Sequence, residues 1–242
     1  MSRKLFAVSD VHGHFTALSE ALDRAGFDSA NEDHIFVSCG DLFDRGTENV
    51  KVYEFVRSLE RKILIRGNHE DMLRDALKCG RMDADGMTNG TDKTVKEFFG
   101  RNAIDGKWNI NVTDRERLSQ LVDFLDSTID FHEEGKYIFT HGWLPDVFEG
   151  RLPTVDPLWR ETSEAKWKRA HWSEWQQYYG AGVLLDGRII VCGHRPARLA
   201  HNYDASRTSD NDAPFFGRGM IAIDTYTVRS GRIEVLVIDG AD

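Results

Sequence analysis

The strongest constraint on the fold of this chain is a series of short apolar segments that recur along its length. Each is four to six residues long and rich in β-branched side chains, which is typical of strands buried in a sheet. The segments are "LFAVS" (5–9), "IFVSC" (35–39), "KILIR" (62–66), "YIFT" (137–140), "IIVC" (189–192), "MIAI" (220–223) and "IEVLVI" (233–238). Helical patterns separate the early segments, so the first half predicts βαβαβ and the chain an α/β fold.

Two amphipathic patterns lie between the early strands, each with its apolar residues on one helical face. These residues are Phe15, Leu18, Leu22 and Ala25 in the first pattern and Val52, Phe55, Val56 and Leu59 in the second. Thr113 and Glu116 form a capping-box pattern ahead of a third apolar face, which predicts a helix starting at Thr113. The polar segments 80–112 and 204–219 are predicted to be loops.

Nearly every predicted strand ends in residues that can bind a metal ion or a phosphate group. These residues are Asp10, His12, Asp41, Arg66, Asn68, His69, His141, His194 and Asp224. The carboxyl ends of strands form the ligand crevice in open α/β sheets, so the side chains can converge although they are scattered in sequence. Each signal alone is weak, because an Asp near a His after a strand is more often a helix cap beside an exposed imidazole. Their repetition at one edge favours a site.

Composition excludes some classes of partner and location. The formal net charge of −9 over 242 residues argues against nucleic acid and anionic membranes as partners, because both attract surplus Lys and Arg. No apolar run approaches the ~18 residues of a membrane span, and no secretory signal precedes the first strand. Cys39, Cys79 and Cys192 show no C-x-x-C spacing, which fits a reducing cytoplasm. A single domain over 1–242 is expected, while the oligomeric state stays open.

Aromatic residues are concentrated in a predicted helix between Glu161 and Tyr179. They are Trp167, Trp172, Trp175, Tyr178 and Tyr179. Core packing is favoured over stacking on a ligand, because aromatic stripes on helices usually face the core.

Five motifs together resemble a known family. They are "DVHGH" (10–14), "GDLFDRG" (40–46), "RGNHE" (66–70), the "HG" of "FTHGWLPD" (139–146) and "CGH" (192–194). In this order they resemble the phosphoprotein phosphatase branch of the calcineurin-like metallophosphoesterases, together with bacterial dinucleoside tetraphosphate hydrolases. The resemblance runs from Phe6 to about Asp239, and its first three motifs are highly specific. It implies two packed mixed β-sheets flanked by helices, a four-layer α/β/β/α fold.

The same resemblance implies a dinuclear metal site at the sheet edge. Asp10 and His12 would bind one ion, and Asp41 would bridge to a second ion. Asn68, His141 and His194 would be the remaining ligands of that second ion. Oxygen and imidazole ligands without thiolate suit two divalent ions, Mn²⁺ first, with Fe or Zn as alternatives. Phosphate esters would be hydrolysed by direct attack of a hydroxide that both ions hold.

Catalytic roles also carry over by motif position. His69 would protonate the leaving group, oriented by Asp44, while Arg45 and Arg66 would bind phosphoryl oxygens. Arg160 in "PLWRE" resembles a further phosphate-binding arginine. The alternative for Arg45 and Arg66 is a surface salt bridge.

Three further residues are assigned by position near the motifs. Arg195 in "GHRPA", where relatives carry a different sequence, would lie at the pocket mouth and contact substrate phosphate. Asp224 would support the metal ligands from behind, or form a hydrogen bond at its strand end. Glu70 is expected to cap the following helix rather than to assist His69.

Three functions remain open from the sequence. The first is a metal-dependent phosphatase acting on phosphoserine or phosphothreonine proteins. The second is a hydrolase of dinucleoside polyphosphates or other nucleotides, with aromatics of 159–179 stacking on a base. The third is a non-catalytic phosphate-binding module, which is disfavoured because all proposed ligands, His69 and Asp44 are present.

Overall fold

The computed structural model describes residues 3–149, 152–205 and 210–240. Its strands confirm the predicted segments to within about three residues at each end and add four more. They are β1 (Lys4–Val8), β2 (His34–Ser38), β3 (Lys62–Leu64), β4 (His132–Glu134), β5 (Tyr137–Phe139), β6 (Asp146–Glu149), β7 (Leu152–Val155), β8 (Ile189–Cys192), β9 (Phe215–Gly217), β10 (Met220–Ala222) and β11 (Leu236–Asp239).

Two mixed sheets organise these strands. One has the order β11-β1-β2-β3, and the other has the order β4-β5-β8-β10-β9, with β6 and β7 pairing as a separate hairpin. Strands β1, β2 and β3 run parallel, as do β5, β8 and β10, whereas β11, β4 and β9 pair antiparallel at the margins. Each sheet therefore directs three carboxyl-terminal strand ends to one edge.

Helices cover the outer faces of both sheets. They are α1 (Phe15–Ala25), α2 (Asn49–Ser58), α3 (Asn68–Cys79), α4 (Ala84–Asn89), α5 (Thr91–Phe99), α6 (Arg115–Asp126), α7 (Glu164–His171), α8 (Trp175–Gly180), α9 (Arg198–Ala205) and α10 (Thr227–Ser230).

Three apolar clusters separate the resulting layers. Leu5, Val37 and Val191 belong to the cluster between the two sheets. A second cluster joins the first sheet to helices α1, α2, α3, α5 and α6, and a third joins the other sheet to α7, α8 and α9. The predicted α/β/β/α layering is confirmed.

Several local predictions were wrong. The third helix begins at Arg115 rather than at Thr113, because the Asp114 carboxylate caps it by accepting from the Arg117 N–H. Segment 80–112 contains α4 and α5 rather than only loop. The aromatic helix is divided into a 3₁₀ turn at Trp159–Glu161 followed by α7 and α8. Within the predicted loop 204–219, residues 206–209 lie outside the described residues and Phe215–Gly217 form β9.

Among the described residues, no helix combines the length and apolar character that crossing a membrane requires.

Candidate metal centre

The carboxyl ends of the parallel strands bring the predicted ligands together. Two groups of side chains have ligand atoms within 4.8 Å of one another: His12, Asp41 and His69 form the first group, and Asp41, His141 and His194 form the second group. Asp41 is common to both groups, so its carboxylate is the group that two ions bound here would share.

Backbone carbonyls orient two of the imidazoles. His12 Nδ1 donates to Phe43 O at 2.9 Å, and His141 Nδ1 donates to Cys39 O at 2.7 Å. The Nε2 atoms of both rings therefore face Asp41, at 3.8 Å from its Oδ2 for His12 and 3.3 Å from its Oδ1 for His141. A carbonyl behind a ring is how proteins fix the orientation of metal-binding histidines.

The two other predicted ligands border these groups. Asn68 Oδ1 lies 2.9 Å from His141 Nε2. Asp10 Oδ1 lies 3.8 Å from His12 Nε2, while its Oδ2 accepts from the His194 N–H at 2.9 Å. That last bond connects an end of the first sheet to an end of the second.

The backbone is strained where these residues lie. In the described part of the chain, eight non-glycine residues have a positive φ. Six of them are predicted site residues: Asp10, His12, Asp41, Asp44, Arg45 and His194. Left-handed backbone is unfavourable for residues with a side chain and tends to be retained at functional sites.

The pKa shifts of the buried carboxyl groups indicate that added positive charge would stabilise the site. Burial raises the pKa of Asp10 and raises that of Asp224 well above its ordinary value. Burial would also raise the pKa of Asp41, but His141 and His69 hold it well below the usual range. The buried carboxylates, carboxamide and imidazoles suit divalent Mn, Fe or Zn, so the residues present fit two such ions.

The histidines of the second group show the same fit. Burial and the neighbouring His141 lower the pKa of His194 to about 3, which leaves its imidazole in the neutral, metal-binding form. Burial opposes the charged form of His141, but Asp41 raises its pKa to about 10. A divalent ion at this position would replace that proton, as metal binding to histidine generally does.

His69 occupies a buried hydrogen-bonded cluster. Its Nδ1 donates to Asp44 Oδ2 at 2.7 Å. Asp44 is held in turn by the hydroxyls of Thr91, at 2.6 Å, and Thr94, at 2.5 Å. Both threonines lie on α5, in the segment that the sequence predicted to be loop, and neither was predicted as a site residue. Burial opposes a charged His69, but Asp41 and Asp44 outweigh it and raise the pKa of the imidazole.

The two arginines of the first motifs differ in direction. Arg45 points into the cleft, with Nη2 3.1 Å from His69 Nε2. Arg66 points away: its Nε and Nη2 donate to Thr128 Oγ1 and Thr128 O at 2.9 and 2.8 Å, and Nη1 lies 3.9 Å from Asp130. The structure therefore gives Arg66 a role in joining β3 to the chain beyond α6, not the predicted contact with phosphate.

Glu70 does more than cap a helix. Its carboxylate accepts from the N–H groups of Gly67, Asp41 and Leu42 at 2.7 to 2.8 Å. Burial, followed by the charge of Asp41, raises the pKa of Glu70 to about 7. Glu70 thus ties the start of α3 to the loop that carries the shared carboxylate.

A cleft of about 470 Å³ opens beside the second group. Its lining includes the proposed ligands Asp41 and Asn68 together with Asp224, Arg45 and Asn89. Five further lining residues are here called the outer wall: Trp172, Glu174, Arg195, Arg198 and Tyr226. Arg195, expected at the pocket mouth, is one of the lining residues. Asp224 also lines the cleft, and its Oδ1 accepts from the Tyr226 N–H at 2.7 Å, the kind of strand-end hydrogen bond that was one of its two expected roles.

Arg160 is not brought to the cleft. Its guanidinium makes two hydrogen bonds of 2.8 Å to Glu133 and lies 4.2 Å above the Trp159 ring. Glu133 also pairs with Arg188, which precedes β8 at the strand end opposite His194. Arg160 thus forms a salt bridge with Glu133 and does not make the predicted contact with phosphate.

The sequence of the chain is similar to those of known phosphoesterases. A family model described as calcineurin-like phosphoesterase matches residues 3–219. A serine/threonine-protein phosphatase 1 of Salmonella typhimurium is 36% identical over 74 residues, 31% of this chain and 33% of that protein. A symmetrical bis(5'-nucleosyl)-tetraphosphatase of Coxiella burnetii is 35% identical over 68 residues, 28% of this chain and 23% of that protein. The aligned part of the chain thus spans a third or less of these curated relatives.

A solved structure extends the likeness to the whole fold. The cold-active protein-tyrosine phosphatase of a Shewanella species superposes with a TM-score of 0.54 at 16% identity, covering 99% of this chain and 76% of that one. At that identity the match concerns the fold alone.

Proposed function

Because the chain belongs to the calcineurin-like phosphoesterase family, we propose that it hydrolyses phosphate esters at the two metal-binding groups that share Asp41. The shared carboxylate carries this proposal, because one residue common to two adjacent groups is the arrangement of a two-metal hydrolase. We propose Mn²⁺ for both sites, with Fe or Zn as alternatives. The free thiols of Cys39, Cys79 and Cys192 support a cytoplasmic location.

Two divalent ions bound here would supply an activated water and neutralise phosphoryl oxygens. The chain itself holds the substrate and moves the proton. Asp10, His12, Asp41, Asn68, His141 and His194 provide the ligand atoms. Arg45, exposed at the cleft, donates to the phosphoryl oxygens and stabilises charge that develops on them.

His69 is the proposed donor of a proton to the leaving oxygen. Its Nδ1–H is fixed by Asp44, which leaves Nε2, 3.1 Å from Nη2 of the cleft residue Arg45, as the atom that can donate. Asp44 favours the imidazolium, and the raised pKa of His69 keeps a proton available at that atom. The first group also includes His69, so a ligand role is the alternative to the acid role, and the metal content of a His69 variant distinguishes the two.

A phosphoserine or phosphothreonine protein is the first proposed substrate. The order of the motifs and the similarity to the Salmonella phosphatase support it. Nucleotides such as dinucleoside polyphosphates are the second candidate, favoured by the ring of Trp172 and the guanidinium of Arg195 on the outer wall. A non-catalytic phosphate-binding module stays disfavoured, because His69 contacts both Asp44 and the cleft residue Arg45.

The test is turnover by metal-stripped protein to which Mn²⁺ is restored. A phosphoserine peptide, diadenosine tetraphosphate and p-nitrophenyl phosphate are offered separately. We expect hydrolysis of at least one ester that depends on added metal. No turnover of any substrate with Mn²⁺, Fe²⁺ or Zn²⁺ would overturn the proposal.

A further inference from the structure

We propose that Trp172 determines which leaving group the cleft accepts, by packing against a planar aromatic ring on the leaving side of the phosphate ester. The inference rests on the proposed phosphoesterase function and decides between its two candidate substrates. Trp172 favours a phosphate ester that carries a planar ring, an aryl phosphate or a nucleotide, over the phosphoserine or phosphothreonine that the order of the motifs alone suggests.

Trp172 differs from the other tryptophans of its segment. Trp159, Trp167 and Trp175 are buried in the outer apolar cluster, with at most 3% of their surface exposed, whereas Trp172 is 44% exposed and lines the cleft. Exposure of this size in an aromatic-rich segment means that the ring has not been placed by core packing. It is available to a ligand.

The ring stands next to a proposed metal ligand. Its centroid lies 6.1 Å from that of His194, with the two planes at 82°. A phosphoryl group held by the second group would therefore have Trp172 as a neighbour. A ring attached to the ester oxygen, or joined to it through a short sugar-phosphate link, would lie within contact distance of the indole face.

Close backbone packing fixes Trp172 against the metal side of the molecule. A Cβ added to Gly142 would come within 2.5 Å of Ala170 O and 2.8 Å of His171 O. Only glycine allows the turn that ends α7 to approach this closely. Gly142 directly follows the ligand His141, so the position of Trp172 is tied to that of a ligand.

A buried ionic cluster holds the same turn from the other side. His171, with no exposed side-chain surface, places Nδ1 2.7 Å from Asp71 Oδ2 and Nε2 3.4 Å from Asp130 Oδ1. Asp71 belongs to α3, two residues after His69, and also lies 3.3 Å from Arg74. These contacts hold the backbone that carries Trp172 on two sides, so little ordering of that turn is needed when a ligand binds.

The rest of the outer wall suits a ring close to negative charge. Arg195 lies 3.6 Å from Glu174 and its Nε has no hydrogen-bond partner among the described residues. Arg198 lies 4.5 Å above the Tyr226 ring. An aryl phosphate and a nucleotide share this chemistry of a flat ring and an adjacent phosphate. Phosphoserine offers no ring.

The experiment compares kcat/KM for phosphotyrosine, diadenosine tetraphosphate and phosphoserine in four proteins: wild type, Trp172→Ala, Trp172→Phe and Trp108→Ala. Trp108 is the matched control, because it is 39% exposed on a surface beside Arg81 and Lys107, outside the cleft. Trp172→Ala is expected to lower kcat/KM for a ring-bearing substrate about tenfold or more relative to phosphoserine, the loss typical of one aromatic stack. Trp172→Phe should restore most of it, and Trp108→Ala should match wild type.

The two ring-bearing substrates show where the ring comes from. A selective loss on phosphotyrosine identifies an aryl ester, and a selective loss on diadenosine tetraphosphate identifies a nucleotide. A second measurement needs no turnover: the affinity for phenylphosphonate divided by the affinity for methylphosphonate, both taken from inhibition. Trp172→Ala should lower this ratio of affinities about tenfold. Equal losses on all three substrates, or wild-type preference for phosphoserine, would overturn the role of Trp172. Absence of turnover in wild type would instead overturn the phosphoesterase function.

Discussion

The first metal-binding group is built by one sheet, whereas the second group joins both. His12, Asp41 and His69 follow β1, β2 and β3 of the four-stranded sheet. The second group combines Asp41 with His141 and His194, which follow β5 and β8 of the other sheet. The first group therefore depends on local turns, and the second depends on how two sheets pack.

The contacts that hold each group follow this division. Glu70 and Asp44 fix the first group through bonds within the first half of the chain. The second group is held across the sheets, where His141 Nδ1 donates to Cys39 O and the His194 N–H donates to Asp10. Loosening the packing between the sheets should thus weaken the second ion before the first.

Replacing the residue common to both groups should have the largest effect. Asp41→Ala removes the shared carboxylate, so both ions and essentially all turnover should be lost, far beyond the roughly 10- to 100-fold loss from merely disturbing a residue behind a ligand. Metal content by elemental analysis measures this directly. Retention of one ion per chain would show that one of the two groups binds its ion without Asp41.

The next effect concerns the role of His69 in the first group. His69→Ala should retain both ions and lower kcat about 10²- to 10⁴-fold on alkyl esters, whose leaving oxygens need a proton. The loss should be smaller on p-nitrophenyl phosphate, whose leaving group departs readily. Loss of one ion in this variant would show that His69 is a ligand, as its place in the first group allows.

A smaller effect, on stability, should arise at the buried junction between the halves. Burial opposes the charged form of His171, but Asp130 and Asp71 raise its pKa above the ordinary value. The charged imidazole then stabilises the fold fully below about pH 6.5, the unfolded value, and this contribution is lost as pH rises through the raised pKa. His171→Gln should lower the free energy of unfolding by about 3 kcal/mol at acid pH.

Urea unfolding of the wild type and His171→Gln at several pH values measures that difference. The difference between the free energies of unfolding of the two proteins should become smaller as pH rises. His14→Gln is the matched control, because the His14 imidazole donates to the Val11 carbonyl rather than to an acid. A difference independent of pH would mean that His171 is neutral in the folded protein.

The smallest effect is expected at Thr94, which acts on the reacting atoms only through Asp44 and His69. Thr94→Val removes a hydroxyl that donates to Asp44, which in turn orients His69, so kcat should fall about tenfold with both ions retained. Thr88→Val is the control, since the Thr88 hydroxyl donates to Ala84 O on α4. Equal activity in wild type and Thr94→Val would show that the threonines do not support the acid.

Sequence patterns predicted the strand ends well, because a buried strand followed by a polar turn is a local signal. The direction of a long side chain is not local. Arg66 and Arg160 were both expected at phosphate, but Thr128 and Glu133, which carry no motif, set their directions.

Distance along the chain hid the remaining parts of the site. Thr94 meets Asp44 across 50 residues, and nothing in its own segment indicates a buried acid. The aromatic segment was expected to face the core, which describes Trp167 and Trp175. Trp172 escapes that pattern because α7 ends at His171 and the next helix begins only at Trp175.

The left-handed backbone at the site limits how far this protein can be made more robust. Glycine adopts the conformations of His12, Asp41 and His194 without strain, so replacing any of the three by glycine would ease the turn while removing a proposed ligand. Selection for thermal tolerance alone would thus tend to erase the metal centre. Stabilising changes should be sought in the outer helices, where a gain in stability does not compete with activity.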